Sequence, residues 1–362
     1  MKKCDILVIG GGPAGLEAAY HAAIAVPDLS ICLVEENFLL GGQLIKQTHS
    51  FFGSKNQFAG RRGIEIADLL MNRVRNCKNV EIHLSTSALG FYPPSTVICE
   101  TSHKSLLEFH PQKTVVAAGA RENMAAFPGN DLPGVFGAGA AQTLMNVYGV
   151  LPGKKILMLG AGNIGLIVSY QLIQAGAEVA AVVEGLPKIG GYHVHAAKIR
   201  RMGIPILTSH TVVRALGNPS LHTVEIAPID KNWKICGETK KIKADTLCLA
   251  VGLTPGTELL SQAGCRMYFI KELCGHVAWH NELMETSNQQ ILVAGDVSGI
   301  EEASTAMLEG KIAGLAAAMK ITGKDLEPEI RNTQQELYGL RQGPYGEKAC
   351  IGKDKLCKLN AN

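Results

Sequence analysis

Two stretches of the sequence carry residue types at the spacing of a diphosphate grip. Gly10, Gly12, Pro13, Ala14 and Gly15 fall in GGGPAGLEAAY, and Gly160, Gly162, Asn163, Ile164 and Gly165 fall in GAGNIGLIVSY. In each G-x-G-x-x-G the first glycine permits a sharp turn out of a strand. The second lets the main chain approach a pyrophosphate, and the third lets the following helix pack on the strand. The N–H groups and dipole of the helix start then attract the phosphates. An acid follows each turn: Glu35, 20 residues after Gly15, and Glu184, 19 residues after Gly165. At the end of a second strand such a carboxylate accepts hydrogen bonds from ribose hydroxyls. One glycine-rich turn can be a turn and nothing more. Two, each with its acid in place, point to two dinucleotides.

The two stretches are an internal repeat. Gly10, Gly12, Gly15, Leu16 and Tyr20 return as Gly160, Gly162, Gly165, Leu166 and Tyr170, all at an offset of 150. Two dinucleotide sites in one chain suggest a flavin and a nicotinamide cofactor. Glu184 favours NAD over NADP. A 2′-phosphate about 4 Å from that carboxylate would be repelled by about 1 kcal/mol in water and about 4 kcal/mol at intermediate dielectric. No arginine directly follows Glu184 to reverse this, although Lys188 is close.

Each motif needs a strand before it and a helix after it, and the flanking sequence supplies both. DILVIG and KKILMLG read as short buried strands, and each glycine motif opens an Ala- or Ile-rich segment of helical character. TVVAAGARE (Thr114 to Glu122) reads as a buried strand ending in small residues that admit a close ligand. TLCLAVGLTPG (Thr246 to Gly256) is its counterpart in the second copy. ILVAGDVSG (Ile291 to Gly299) is an apolar strand ending in Gly295 and Asp296, followed by a helical run rich in alanine. Taken alone, an Asp in that position can be simply a helix N-cap.

Length and composition narrow the function classes. At roughly 150 residues per domain, 362 residues make two lobes and a shorter piece. Hydrophobic residues are 46%, and 40 glycines imply many tight turns. A formal charge of +3 is too small for a polyanion-binding face, and 5% aromatics is too few for a base-stacking platform. Nucleic acid is excluded as a partner on these grounds. Ten cysteines without a C-x-x-C read as reduced thiols of a cytoplasmic protein. The start of the chain has a basic and then apolar character, but Asp5 and Glu17 break the pattern of a signal peptide. Two uncharged stretches, Leu132 to Gly153 and Ile156 to Ala177, have the length of a bilayer span. Glycines interrupt both, and no membrane span is expected.

The order of GGGPAG, Glu35, GGQL, AAGA, GAGNIG, AVG and AGD resembles the two-dinucleotide-domain flavoproteins related to thioredoxin reductase, over nearly the whole chain. The resemblance implies an α/β fold of two Rossmann-like domains, the first of them discontinuous. It implies an FAD domain of residues 1–120 and 285–325, an NAD domain of residues 121–284, and a C-terminal extension of residues 326–362. It assigns FAD to Gly10, Gly12, Pro13, Ala14, Gly15, Glu35, Glu36, Gly42, Gln43, Leu44, Ala118, Gly119, Gly295 and Asp296. NAD falls to Gly160, Gly162, Asn163, Ile164, Gly165, Glu184 and Gly252. No general acid or base is assigned, since hydride transfer is cofactor chemistry that the protein orients.

The disulfide reductases of that family carry a close redox Cys pair, and this chain does not. Cys350 and Cys357 are its nearest two in sequence, so thiol reduction is disfavoured. GGQLIKQTHSFFGSKNQFAGRRGIEI from Gly41 and GGYHVHAAKIRRMGIPILTSH from Gly190 look like the nucleotide-binding chain of heteromeric amino-acid and amine dehydrogenases. That group includes sarcosine oxidase alpha, dye-linked proline and hydroxyproline dehydrogenases, opine oxidase and hydrogen cyanide synthase. This nearer resemblance implies an FAD-dependent chain passing electrons between flavin and NAD(H) or a partner, with ATP as an alternative occupant of a site. The implied partners are a second flavoprotein subunit and a small iron-sulfur or ferredoxin-like chain. A stand-alone NADH-dependent flavin reductase and a non-catalytic nucleotide-binding scaffold need the same glycines and remain open. His193 with His195, and His276 with His280, are not read as metal ligands: the first pair faces different sides of a helix, and the second lies where the family has a strand. After Gly323 the sequence turns polar and reads as a surface arm or a tail.

Overall fold

The computed structural model describes residues 2–51, 54–93, 95–343 and 346–359. Phe52 and Gly53 of the Gly41 segment, and Pro344, Tyr345 and 360–362 of the extension, lie outside the described residues. The chain forms two units, Met1–Arg121 with Thr254–Asn362, and Glu122–Leu253.

In the first unit, strands Lys2–Ile9 and Ile31–Val34 flank the helix Pro13–Ala25 and pair in parallel. Val80–His83 extends the sheet beyond the second strand, also in parallel. Leu106–Val116 lies on the other side of the first strand and in turn pairs with Ile291–Val293, again parallel. Ile9, Val34, Val116 and Val293 therefore end together, which brings Gly10, Glu35, Ala117 and Ala294 to one edge although they span most of the sequence. Parallel strands covered on both faces are apolar throughout, and all of Ile6, Leu7, Val8, Leu33, Val115 and Leu292 are buried. Thr96–Thr101 and Thr86–Tyr92 add an antiparallel meander at Leu106–Val116.

The helix Ala303–Thr322 packs on Pro13–Ala25 at very short range. A Cβ on Gly310 would run into the Ala14 carbonyl, and one on Gly314 into the Ala18 carbonyl. Two glycines one helical turn apart thus let the backbones touch.

The second unit repeats the plan. Lys155–Leu159 and Glu178–Glu184 flank the helix Asn163–Gln174, and Ile206–Thr208, Thr246–Leu249 and Val135–Gly137 complete a five-stranded parallel sheet. An antiparallel meander of His210–Gly217, Leu221–Pro228 and Lys240–Lys243 covers one face through Val212, Leu221, Val224 and Ile226.

Two expectations about boundaries differ from this arrangement. The sequence carries the second lobe to residue 284, whereas the chain leaves it at Leu253. The reason is packing: Leu260, Cys265, Ala278 and Met284 bury themselves in the core of the first unit. The polar segment after Gly323 forms two helices, Glu327–Arg341 and Glu347–Lys358, in the first unit. Ile330 and Leu337 of the first helix join its main core, and Leu356 of the second packs with Ile270, Leu273 and Val277. Among the described residues no helix is long and apolar enough to cross a membrane.

Candidate dinucleotide-binding sites

At the first crossover Gly10 takes a left-handed φ of 104°, pressed so close to Ala117 that a Cβ would strike its carbonyl. A Cβ on Gly15 would strike the Gly10 carbonyl, so only glycine lets the helix start beneath the turn. Gly12 differs. Its φ of −75° suits any residue, and a Cβ would find nothing nearer than Gly42 Cα at 3.8 Å. The space above Gly12 is left for something other than the chain itself. Pro13 opens the helix, Ala14 is buried, and no side chain among the described residues caps the helix start. One other helix start in this protein does receive a carboxylate. At the helix Ala138–Asn146, Glu122 accepts the N–H groups of Gly139 and Ala140 at 2.6 and 3.1 Å.

Glu35 is buried, with Oε2 accepting the Gly11 N–H at 2.6 Å and Oε1 accepting the Asn37 backbone and side-chain N–H groups at 2.9 and 2.7 Å. A carboxylate has about four lone-pair positions, so this leaves room for a ribose hydroxyl. Gly41 donates to the Gly11 carbonyl at 2.7 Å, and Gly42, at φ 53°, lies against Gly12. Gln43 and Glu36 are exposed, while Leu44 is fully buried in the core and anchors the loop from beneath. Ala118 is exposed beside Gly119, whose φ is 72°. Gly295, at φ 78°, packs on Ala14 in the first turn of the helix. Burial lifts the Asp296 carboxyl to about 7, with Glu309, Glu301 and Glu302 adding to the rise and the Glu301 N–H opposing it. The structure thus brings Gly10, Gly12, Ala14, Gly15, Glu35, Gly42 and Gly295 together at one sheet edge.

The second crossover is built the same way. Gly160 has φ 110° and abuts the Ala250 carbonyl, Gly165 abuts the Gly160 carbonyl, and nothing lies within 4 Å of a Cβ on Gly162. Its helix start also lacks a side-chain cap. Glu184 accepts the Ala161 N–H at 2.7 Å and the Leu186 N–H at 2.9 Å. Ile164 is exposed, and Gly252, at φ 110°, follows the strand beside Gly160. Asn163 spends its side-chain oxygen on the Tyr192 N–H at 2.8 Å.

Sequence reasoning missed several neighbours. Gly191 donates to the Ala161 carbonyl at 2.9 Å, as Gly41 does to Gly11. The repeat therefore extends to the two Gly-Gly pairs, a signal present in the sequence six residues after each acid. Trp233 lies on Gly185, the residue after Glu184, so closely that a Gly185 Cβ would sit 2.5 Å from its ring. Glu309, Arg341 and Lys353 meet behind Gly295. All ten cysteines are free. Cys4 and Cys32 are both buried, and the neighbouring Cys4 thiol draws Cys32 down to about 6. His195 is buried and held below the ordinary histidine range by that burial, and His193 is exposed.

Two parallel-sheet crossovers, each with an open glycine turn and a carboxylate fastened beside it, define a protein with two dinucleotide-binding Rossmann folds. The chain belongs to the pyridine nucleotide-disulphide oxidoreductases, whose family model matches residues 4–310. It is an FAD-dependent oxidoreductase with a flavin site and a pyridine-nucleotide site. It is 27% identical over 333 residues to hydrogen cyanide synthase subunit HcnB of Pseudomonas protegens, covering 87% of this chain and 70% of that one. It is 28% identical over 329 residues to sarcosine oxidase subunit alpha of Rhizobium meliloti, covering 87% of this chain and 29% of the relative. Among solved structures it is similar to L-proline dehydrogenase from P. horikoshii, with a TM-score of 0.71 at 27% identity over 93% of this chain and 59% of that one. The relatives named as subunits agree with the resemblance read from the Gly41 and Gly190 segments. The chain spans less than two thirds of the length of the last two.

Proposed function

We propose that the chain is the nucleotide-binding component of a heteromeric amino-acid or amine dehydrogenase, passing electrons between its flavin and NAD(H) or a partner subunit. Gly10, Gly12, Gly15, Glu35, Gly119, Gly295 and Asp296 hold FAD, and Gly160, Gly162, Gly165, Glu184 and Gly252 hold NAD. Bound FAD supplies the two-electron chemistry. The chain's residues bind and orient: helix starts face the phosphates, Glu35 and Glu184 face riboses, and the small residues of 117–119, with Ala250 and Gly252, allow close approach. The FAD domain is made of the first and last parts of the chain and the NAD domain of its middle. The partners are a second flavoprotein subunit and a small iron-sulfur chain, in the cytoplasm.

One observation carries this reading: both turns are open at the second glycine while locked at the first and third. A turn kept only for folding has no need of an open second glycine. The relatives' names supply the amine chemistry, since sarcosine and proline are secondary amines and both are oxidised by proteins similar to this one.

The test is an anaerobic titration of the purified chain with NADH. A yellow protein bleached by NADH supports the reading. Protein that holds no flavin overturns it and favours a scaffold. Rapid turnover with an artificial acceptor and no partner favours the stand-alone reductase.

A further inference from the structure

The family match ends at residue 310, one position past Glu309. Glu309 is 2% exposed, on the helix Ala303–Thr322. Its Oε2 accepts the Gly295 N–H at 2.9 Å and the Ser298 hydroxyl at 2.7 Å, so it props the turn that carries Asp296. Its Oε1 accepts Arg341 at 2.6 Å and Lys353 at 2.8 Å. Both cations come from the two helices that follow the matched region.

Each cation also holds the turn or its neighbours directly. Lys353 donates to the Ser298 carbonyl at 3.0 Å and to its hydroxyl at 2.7 Å. It lies 3.3 Å from Nε2 of His280, whose Nδ1 is 3.1 Å from the Asn281 carbonyl. Burial, reinforced by Lys353, pushes His280 down to about 3, so the ring is neutral. Nδ1 then carries the proton and Nε2 turns its lone pair toward the ammonium. Arg341 grips both oxygens of Glu301 at 2.6 and 2.9 Å, and the Glu301 N–H faces Asp296 Oδ1 at 3.4 Å. Burial alone would raise the Glu309 carboxyl, but Lys353 and Arg341 outweigh it and hold it below the ordinary range. A carboxylate this deep stays ionised only while its counter-ions are present. Protonated, Glu309 would lose acceptor capacity that Gly295 and Ser298 use.

We propose that the C-terminal arm is a clamp on the flavin site, with Lys353 and Arg341 as positioning residues that act through Glu309 to hold the Gly295–Ser298 turn in its flavin-binding form. This rests on the assignment of the first crossover to FAD. It gives the arm a task inside this chain that the sequence, read as a surface arm or a tail, did not disclose.

The test uses the full chain and three variants: Lys353→Met, Lys353→Arg and Lys355→Met. Lys355 sits on the same arm helix in an exposed pair with Glu272, so it controls for arm docking. The readouts are the FAD dissociation constant and the visible circular dichroism of bound flavin, both taken well below the melting temperature. Lys353→Met should raise the FAD dissociation constant at least tenfold and alter the flavin dichroism. Lys353→Arg should recover most of both, and Lys355→Met should match the parent. If Lys353→Met does not fold, the double variant Glu309→Gln with Lys353→Met removes the buried charge together with its cation. It should fold and still bind FAD at least fivefold more weakly. Parent-like FAD binding and dichroism in Lys353→Met, or in that double variant, overturns the clamp. So does equal weakening by Lys355→Met. A parent chain that takes up no flavin instead overturns the flavin assignment.

Discussion

The two crossovers are the same machine with different backing. Both lock the first and third glycines against carbonyl oxygens and leave the second open. Around the first, three distant segments converge: Gly42 on Gly12, Ala117 on Gly10, and Gly295 on Ala14, the last tied to a buried charge cluster. Around the second there are two: Ala250 on Gly160, and the loop at Gly191, which crosses the turn so closely that a Cβ there would come within 2.9 Å of the Asn163 nitrogen. Asn163 itself pins that loop, where the first crossover has Pro13. The lesson is that one motif serves two kinds of ligand retention. A turn enclosed by three segments, one of them tied to a buried charge cluster, suits a cofactor that stays, and one enclosed by two suits a ligand that exchanges.

The largest effect should be common to both. Gly15→Ala and Gly165→Ala each drive a Cβ into a backbone carbonyl, with no flexible side chain to yield. Each should cost about 3 kcal/mol in urea denaturation, the upper part of the range for overpacking. If either is tolerated within about 0.5 kcal/mol, that turn is looser than its partner and the symmetry is broken.

The second glycines separate ligand from fold. A Cβ on Gly12 or Gly162 meets no neighbour closer than 3.8 Å, and both have ordinary φ values. Gly12→Ala should leave the melting temperature of flavin-stripped protein unchanged while weakening FAD about a hundredfold, or about 2.7 kcal/mol. Gly162→Ala should keep the flavin and slow or abolish its bleaching by NADH. Loss of flavin on Gly162→Ala would mean that the second turn serves the first.

Next in size is a pH effect confined to the first crossover. Asp296 is raised to about 7, chiefly by burial, from near 4 in the unfolded chain. Between those values the unfolded chain releases its proton before the folded one, so folding stability falls as pH rises. Asp296→Asn removes the fall. In flavin-stripped protein its advantage over the parent should grow from pH 4 to pH 7, reaching on the order of 1–2 kcal/mol, while FAD affinity drops. Parallel melting curves for parent and variant across that range would show the raised carboxyl to be absent.

How much of this the sequence disclosed follows a physical rule. Local patterns carried the turns: the glycines, the acids and the strands before them were legible because a strand-turn-helix is a contiguous object. Gly295 and Asp296 were legible only through resemblance, since their place beside Ala14 depends on Ile291–Val293 pairing far away along the chain. The arm was not legible. Arg341 and Lys353 look like surface charges in a polar stretch and Glu309 like a lone acid in an alanine-rich helix, and only the folded chain brings them together. The boundary at Leu253 was obscured for the same reason, because Leu260 and Met284 are apolar in either unit and only tertiary packing chooses. Cys4 and Cys32, 28 positions apart, illustrate the point with thiols.

Glu184 sharpens the comparison at smaller scale. It accepts the Ala161 and Leu186 N–H groups, which supply no counter-charge. Glu184→Gln keeps an acceptor for one of them and removes the repulsion of a 2′-phosphate. NADH binding should weaken roughly tenfold and the preference over NADPH should shrink by a similar factor, about 1.4 kcal/mol, read from dissociation constants for both. An unchanged preference would show that Glu184 does not face the ribose.

The smallest effect is the most direct report on the second site. The chain has two tryptophans, and they sit in different settings: Trp279 is partly buried in the first unit, while Trp233 is 62% exposed on Gly185. Trp233 holds a left-handed φ of 62° at the tip of a tight turn. There the Asp230 side chain accepts the Asn232 and Lys234 N–H groups, both at 2.9 Å, and its carbonyl accepts the Trp233 N–H at 3.0 Å. That conformation is unfavourable for a bulky residue, so the turn holds the indole in place against its own preference. A nucleotide whose ribose meets Glu184 places its base next to Gly185, within reach of the indole. ADP-ribose added to flavin-stripped protein should therefore quench tryptophan fluorescence, and Trp233→Leu should lose the quench while binding three- to fivefold more weakly. Quenching that survives in Trp233→Leu would locate the ligand near Trp279 instead, and with it the nucleotide in the first unit.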